Sequence, residues 1–190
     1  MAGTPCAGQP SSQAQRRTSY HSAMYADGFS FLEEERDAFR PYEALLELTD
    51  EQLERPIDGT HGWTGRDLMA HIGVWMDWWL RVARELAVNP ESPAWDELDR
   101  INEVWETAGD DLNARYQAEW AALPIAEVRQ RFGSIPGELR GYLTVVPETR
   151  WLKDGARFRS LLGNTTEHYA EHEAELRTIL AAAGRSEDAR

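Results

Sequence analysis

Cysteine is almost absent from this chain. The only one among its 190 residues is Cys6, which lies in a segment rich in glycine, proline, serine and glutamine. A single cysteine cannot form a disulfide within the chain, so no disulfide framework is expected to stabilise the fold. No buried cysteine nucleophile is expected either. If thiol chemistry occurs, a separate molecule must bring the thiol.

Basic residues are also few. The chain has 20 lysines and arginines against 33 aspartates and glutamates, which gives a formal net charge of -13. Such a chain would repel nucleic acids and anionic membrane surfaces, so neither is expected as a partner. The sequence shows no apolar run typical of a membrane span and no secretory hydrophobic segment, and we therefore expect a cytoplasmic protein.

Apolar residues are numerous enough for one core. Hydrophobic residues make up 42% of the 190 positions, a length that suits one well-buried domain and is short for two. The first 22 residues have few bulky apolar side chains and many turn-forming residues. This composition predicts a disordered leader at 1–22 and a single helical domain at 23–190.

Through that domain apolar residues recur every three or four positions, the periodicity of amphipathic helices. Ser30 and Glu33 have the form of a capping box, so a helix should begin there. Pro41 should divide that helix, and Gly133 with Pro136 should interrupt a later one. No segment alternates apolar and polar residues over the length that a strand of a sheet requires. The pattern predicts an all-α fold, a four-helix bundle with up-down topology and a longer connection between its second and third helices.

Three histidines lie on the apolar faces of two predicted helices. His71 follows a helix start near residue 64, and His168 and His172 lie on the last helix, expected over 156–183. Residues four apart on a helix have Cβ atoms about 5–6 Å apart, so the pair can direct both rings at one ion. If the three rings were buried for unrelated reasons, each would need hydrogen-bond partners of its own. Metal binding is therefore favoured over a cluster of structural histidines.

Three neutral ligands would leave the charge of an ion uncompensated, which favours an acidified water molecule or an incoming anionic or thiolate group. Imidazoles suit zinc, nickel, iron and copper, and the ion that we expect is divalent, zinc or nickel.

The pair of His168 and His172 also fits the inverted metalloprotease motif H-x-x-E-H, with Glu171 as the acid. Glu171 is turned about 100° from His172 around the helix, toward its charged side. We interpret Glu171 as a solvated residue.

Three further residues are candidates for a substrate pocket. Trp75, one turn after His71, can wall the space above the metal, with plain core packing as the alternative. Thr165 on the last helix can face a substrate or pack in the core. Arg140 can bind an anionic group such as a carboxylate, or form a surface salt bridge. Asp67 can orient a metal-bound ring, but its position three residues after a predicted N-cap favours a capping role.

Two segments resemble a known group of proteins. Residues 61–71, HGWTGRDLMAH, are similar to the W-[ST]-x-[KR]-D-[LV]-x-A-H segment of the DinB/YfiT-like superfamily, and are closest to the N-terminal domain of mycothiol-dependent maleylpyruvate isomerases. Residues 163–172, GNTTEHYAEH, resemble the H-x-x-x-H segment of the last helix in that superfamily. The resemblance covers roughly residues 25–185, and the two motifs are specific in combination.

The resemblance implies a four-helix bundle that holds a metal ion through His71, His168 and His172, in many members as a homodimer. It also implies thiol-dependent transfer, isomerisation or hydrolysis of a small-molecule substrate. Some maleylpyruvate isomerases have a carboxylate where this chain has His168, so their substrate is not carried over. We expect a metal-dependent enzyme that activates water or a low-molecular-weight thiol such as mycothiol. The alternative is a non-catalytic metal- or small-molecule-binding protein of stress response or self-resistance.

Overall fold

The computed structural model describes residues 25–60 and 62–187; the predicted leader at 1–22 lies outside them. Every regular element in these ranges is helical, as the periodicity predicts. The α-helices are α1 (Gly28–Phe39), α2 (Asp50–Leu53), α3 (Gly65–Val88), α4 (Pro93–Ala121), α5 (Ile125–Val145), α6 (Gly155–Gly163), α7 (Thr166–Glu171) and α8 (Glu173–Glu187), and 3₁₀ helices span Arg40–Glu47 and Glu148–Arg150. None of these helices is long and apolar enough to cross a lipid bilayer.

Helix α3 is the central element of the bundle. It packs against both α4 and α5, and α1 packs against α5 and α7. Three tryptophans of α3, Trp75, Trp78 and Trp79, are buried in the common core. The predicted all-α four-helix bundle is confirmed, with α1, α3, α5 and the segment from α6 to α8 as its members. The longer connection between the second and third members is itself a 29-residue helix, α4.

A capping box fixes the start of α3. The Thr64 hydroxyl oxygen accepts a hydrogen bond from the Asp67 amide at 3.0 Å, and the Asp67 carboxylate accepts one from the Thr64 amide at 2.9 Å. These bonds satisfy two of the amide groups that a helix start leaves without partners. Asp67 is therefore a cap, as its position predicts. His71 follows one turn later, so this cap also sets the place of the first histidine.

Two predicted boundaries are wrong. Helix α1 begins at Gly28 and not at Ser30, because the Asp27 carboxylate caps it by accepting a hydrogen bond from the Ser30 amide at 2.9 Å. Helix α5 runs through Pro136 without interruption. A proline inside a helix costs about 3 kcal/mol, whereas each large apolar side chain buried on its face contributes about 1.5–3 kcal/mol. The other buried side chains of that face are Val128, Phe132, Ile135, Leu139 and Leu143.

The last helix is also broken, whereas the apolar pattern predicted a continuous one over 156–183. Thr165 leaves helical geometry with φ −130° and ψ −104°, and a second break follows at His172 with φ −100° and ψ 10°. The side-chain amide of Asn164 and the Thr165 hydroxyl each donate a hydrogen bond to the carbonyl four residues earlier, at 2.7 and 2.6 Å. Short polar side chains that bond to the backbone compete with regular helix, and this competition is invisible to a pattern of apolar residues.

The packing of α4 on α3 yields a direct test at Gly73. A Cβ atom at Gly73 would lie 2.6 Å from the ring of Trp120, a buried side chain of α4. We predict that Gly73→Ala lowers the free energy of unfolding by about 1–3 kcal/mol, because the ring must move in a filled core. Denaturant unfolding measures this change.

The control is Gly137→Ala in α5, where a Cβ atom would meet nothing within 4 Å. Alanine there should stabilise the protein by about 0.5–1 kcal/mol, because glycine loses more chain entropy on folding. Two alanine variants with the same effect on stability would contradict the close approach of the two helices at Gly73.

Candidate metal centre

The three histidines singled out in the sequence come together at one point. The Nε2 atom of His71 lies 3.0 Å from Nε2 of His168 and 3.0 Å from Nε2 of His172. The candidate ligand atoms of the three rings all lie within 4.8 Å of one another. His71 comes from α3, His168 from α7, and His172 is the residue between α7 and α8. The breaks in the last helix thus lie on either side of α7, the helix that carries His168.

Hydrogen bonding alone cannot satisfy this arrangement. The His71 Nε2 atom carries either one hydrogen or one lone pair, yet two other ring nitrogens lie 3.0 Å from it. A shared cation, in contrast, can take a lone pair from each ring. Nitrogen ligands of a tetrahedral ion at 2.0–2.1 Å are about 3.3 Å apart, which is close to the observed spacing. The donor set therefore fits a divalent ion that prefers imidazole.

Burial keeps two of these rings neutral. His71 and His168 are only 5% and 7% exposed. The pKa of His71 is lowered to about 3, mainly by burial of the ring and to a smaller extent by the neighbouring His172. The pKa of His168 is lowered to about 2, mainly by burial and to a smaller extent by the other two histidines. Both rings therefore present lone pairs at neutral pH, the protonation state that a metal ligand requires.

Glu175, which the sequence pattern did not single out, lies behind His172. Its Oε2 atom is 3.8 Å from Nδ1 of His172, and both side chains are largely buried. Carboxylates on this side of a metal-binding imidazole commonly orient the ring. The arrangement is consistent with the Nε2 atom of His172 as the one directed at the cluster.

A buried carboxylate holds α7 in its position. The hydroxyl of Tyr169, the residue after His168, donates a hydrogen bond to Glu35 Oε1 of α1 at 2.9 Å. Arg140 of α5 donates to Glu35 Oε2 at 2.8 Å, and the Tyr42 hydroxyl donates to the Tyr169 carbonyl at 2.5 Å. Burial raises the pKa of Glu35, although Arg140 acts in the opposite direction. Three other elements of the bundle thus fix the helix that carries His168.

The histidines line a cavity of about 770 Å³, a size typical of small-molecule sites. Trp63 also lines it, with its ring centre 4.8 Å from that of His71 and 5.5 Å from that of His172. Helix α4 supplies a further wall, with Asp99, Asn102, Trp105, Asp110, Asn113, Ala114 and Gln117. The sequence reasoning missed this wall. Its signal is a series of amide and acidic side chains, with one tryptophan among them, at spacings of three to five positions along one helix.

One of the three residues expected in a substrate pocket reaches this cavity. Trp75 lines it and donates from Nε1 to Asn113 Oδ1 at 3.1 Å. Thr165 is fully buried with its hydroxyl on a backbone carbonyl, and Arg140 is engaged with Glu35. Neither Thr165 nor Arg140 lines the cavity. The guanidinium lies away from it because a buried carboxylate requires a cation beside it.

The fold and the site define a helical-bundle protein with a three-histidine cluster beside a cavity. Residues 32–166 match the family described as the mycothiol maleylpyruvate isomerase N-terminal domain, which is part of the DinB-like superfamily. The chain belongs to this family, and the resemblance seen in the sequence is confirmed. Because the match ends before His168 and His172, their meeting with His71 is a finding of the structure. Comparison with curated proteins and with solved structures gave no match.

The buried pair gives a second prediction. Arg140→Met should destabilise the protein by about 3 kcal/mol at pH 7, because it leaves Glu35 buried without its cation. Arg140 is also the main group that lowers the pKa of Glu35, so its removal raises that pKa further. When a carboxyl group has a higher pKa in the folded state than in the unfolded state, the protein loses stability as the pH rises towards the folded-state pKa. The loss should therefore be smaller at pH 5 than at pH 7, as measured by urea unfolding.

Arg84→Met is the matched control, because Arg84 forms an ion pair with Glu138 at 2.6 Å in which both side chains are nearly half exposed. Exposed pairs contribute at most about 1 kcal/mol. A loss in Arg140→Met no larger than that in Arg84→Met, or one that is equal at pH 5 and pH 7, would show that Glu35 does not depend on Arg140.

Proposed function

We propose that this protein is a metal-dependent enzyme that acts on a small electrophilic substrate, with His71, His168 and His172 as metal ligands. The observation that carries the proposal is the meeting of three imidazoles on the wall of a cavity of about 770 Å³. Structural zinc sites have four protein ligands, whereas catalytic sites keep three and leave one position open. Within the described part of the chain, no fourth histidine, cysteine or carboxylate joins the cluster.

The chemistry follows from the donor set. A divalent ion held by three neutral rings would supply Lewis-acid chemistry, which lowers the pKa of a water molecule or a thiol so that either becomes a nucleophile near neutral pH. Because Cys6 is the only cysteine of the chain, we infer that a thiol enters as a separate low-molecular-weight co-substrate. Mycothiol is the thiol named in the family's description.

The side chains around the cluster have roles of their own in this proposal. Trp63 lies against the rings of His71 and His172 and forms an aromatic wall beside them. Trp75 is fixed by its bond to Asn113 and forms part of the cavity wall. A cavity with fixed aromatic walls orients a small substrate beside the open position, and such orientation is a major source of catalytic rate.

Metal content tests the ligand assignment. The purified protein should bind one equivalent of zinc or nickel, and His168→Ala should weaken binding by more than about 100-fold, beyond the 10–100-fold typical of a residue that only supports a ligand. Asn113→Ala, which alters the cavity wall without removing an imidazole, should retain the metal. Unchanged metal content in a folded His168→Ala protein would contradict the three-histidine centre.

Activity tests the catalytic part of the proposal. We expect metal-loaded protein to accelerate either the conjugation of mycothiol with 1-chloro-2,4-dinitrobenzene, in which the thiolate sulfur bonds to the ring carbon and chloride leaves, or the hydrolysis of p-nitrophenyl acetate. A chelator should abolish the rate, and added metal should restore it, because the ion supplies the activated nucleophile. The initial rates of the two reactions distinguish a thiol from water as that nucleophile. Stable metal binding without either activity, or a rate that survives chelation, would contradict an enzyme of this kind.

A further inference from the structure

The short helix α7, which carries His168, has a change in backbone angle at each end. It has six residues, and the dihedral angles depart from helical values at Thr165 before it and at His172 after it. Backbone hydrogen bonds still join α7 to the residues on both sides. A helix of this length has little stability of its own, so its exact rotation depends on tertiary contacts as well.

Tyr169, the residue after His168, is held through both its side chain and its backbone. It is only 2% exposed. Its hydroxyl donates to Glu35 Oε1 of α1 at 2.9 Å, and its carbonyl accepts from the Tyr42 hydroxyl at 2.5 Å. Glu35 is itself fixed by a hydrogen bond from Arg140 at 2.8 Å. Contacts to two other elements of the bundle therefore restrain both the rotation and the position of α7.

The Tyr42 contact acts at the second break. The last four carbonyl groups of a helix have no partner within the helix, and α7 ends at Glu171, so the Tyr169 carbonyl is one of them. The buried hydroxyl of Tyr42 satisfies this carbonyl. The chain can therefore leave helical geometry at His172 without a buried carbonyl that lacks a partner. His172 thereby adopts the backbone angles, φ −100° and ψ 10°, that accompany its place in the cluster.

A metal centre built in this way is sensitive to small turns of α7. Side chains extend about 5–6 Å from a helix axis, so a turn of about 10° would move the ring of His168 by about 1 Å. Metal–ligand distances tolerate deviations of only about 0.2 Å. The Nε2 atom of His71, 3.0 Å from that of His168, belongs to α3 and does not turn with α7. Loss of the restraint on α7 would therefore weaken the binding of a shared ion.

Packing and charge balance alone do not require the two hydroxyl groups. Phenylalanine would fill the same space at both positions and would bring no buried hydroxyl that needs a partner. Arg140 already supplies the cation that the buried Glu35 requires. What the two hydroxyl groups share is that both fix residue 169, which lies between His168 and His172 in the chain.

We propose that Tyr42 and Tyr169 are positioning residues of the metal centre. Their hydroxyl groups hold His168 and His172 in the arrangement that binds the ion. The inference rests on the proposed function, because it takes the histidines as metal ligands. It goes beyond that function by making metal affinity depend on two residues that do not line the cavity.

Removal of one hydroxyl at a time tests the proposal. Tyr169→Phe and Tyr42→Phe keep the aromatic rings in the core. Zinc affinity, measured by competition with a chelator of known affinity, should fall by about 10–100-fold in each variant, the range typical of residues that support a metal ligand. With cobalt in place of zinc, the visible d–d bands should shift, because they report the coordination geometry and not the stability of the fold.

Ile135→Val is the control for a small loss of stability. Ile135 is a buried residue of α5 that does not line the cavity, and its change to valine removes one methylene from the core. Its zinc affinity and cobalt spectrum should equal those of the natural chain. Circular dichroism shows whether each variant is folded, and if one tyrosine variant is not, the other carries the test. Folded tyrosine variants with the natural zinc affinity, or a loss that Ile135→Val shares, would overturn the proposal.

A second measurement separates this proposal from the proposed function. If the natural chain binds neither zinc nor cobalt, the three-histidine centre fails, and crystal structures of the metal-free proteins then decide the positioning role. In Tyr169→Phe the Nε2 atom of His168 should be displaced by about 1 Å relative to that of His71, from which it lies 3.0 Å in the natural chain. An unchanged distance in this variant would overturn the positioning role.

Discussion

A carboxylate buried between three helices holds the end of the bundle in place. Glu35 of α1 accepts hydrogen bonds from Arg140 of α5 and from Tyr169 of α7, the residue directly after His168. A slip of one residue around α7 would turn its side chains by about 100° and carry His168 away from His71. The hydrogen bonds of Tyr169 oppose such a slip. The geometry of the histidine cluster thus depends on a pairing made beside the cluster and not within it.

The breaks in the last helix serve the same arrangement. Helix α7 is set off from α6 at Thr165 and from α8 at His172 by changes in backbone angle, although backbone hydrogen bonds still join it to α8 through His172. The contacts of Tyr169 with Glu35 and Tyr42 add to these bonds in fixing its rotation. His172 lies at the second break with Glu175 behind its ring. The protein therefore builds the centre from one regular helix, α3, and one short helix that tertiary contacts orient.

The sequence predicted what is local or periodic. The capping box of Thr64 and Asp67 and the apolar stripes that carry the histidines require only neighbouring residues. Other features depend on partners far along the chain. Glu35 lies four residues after Phe31 and four before Phe39, on the buried face of α1. Its partners Arg140 and Tyr169, however, are more than 100 positions away and leave no local signal. The length of α5 through Pro136 depends on the core that its apolar face meets, and the cavity wall of α4 exists only because α3 and α6 face it.

The central claim is that three imidazoles hold one ion and leave a coordination position open to the cavity. X-ray absorption spectroscopy of the zinc-loaded protein tests it most directly. The account predicts three histidine nitrogens at about 2.0–2.1 Å and one lighter ligand that a small thiol replaces with sulfur at about 2.3 Å. A shell of four protein ligands that a thiol leaves unchanged, or one with fewer than three imidazoles, would contradict the account.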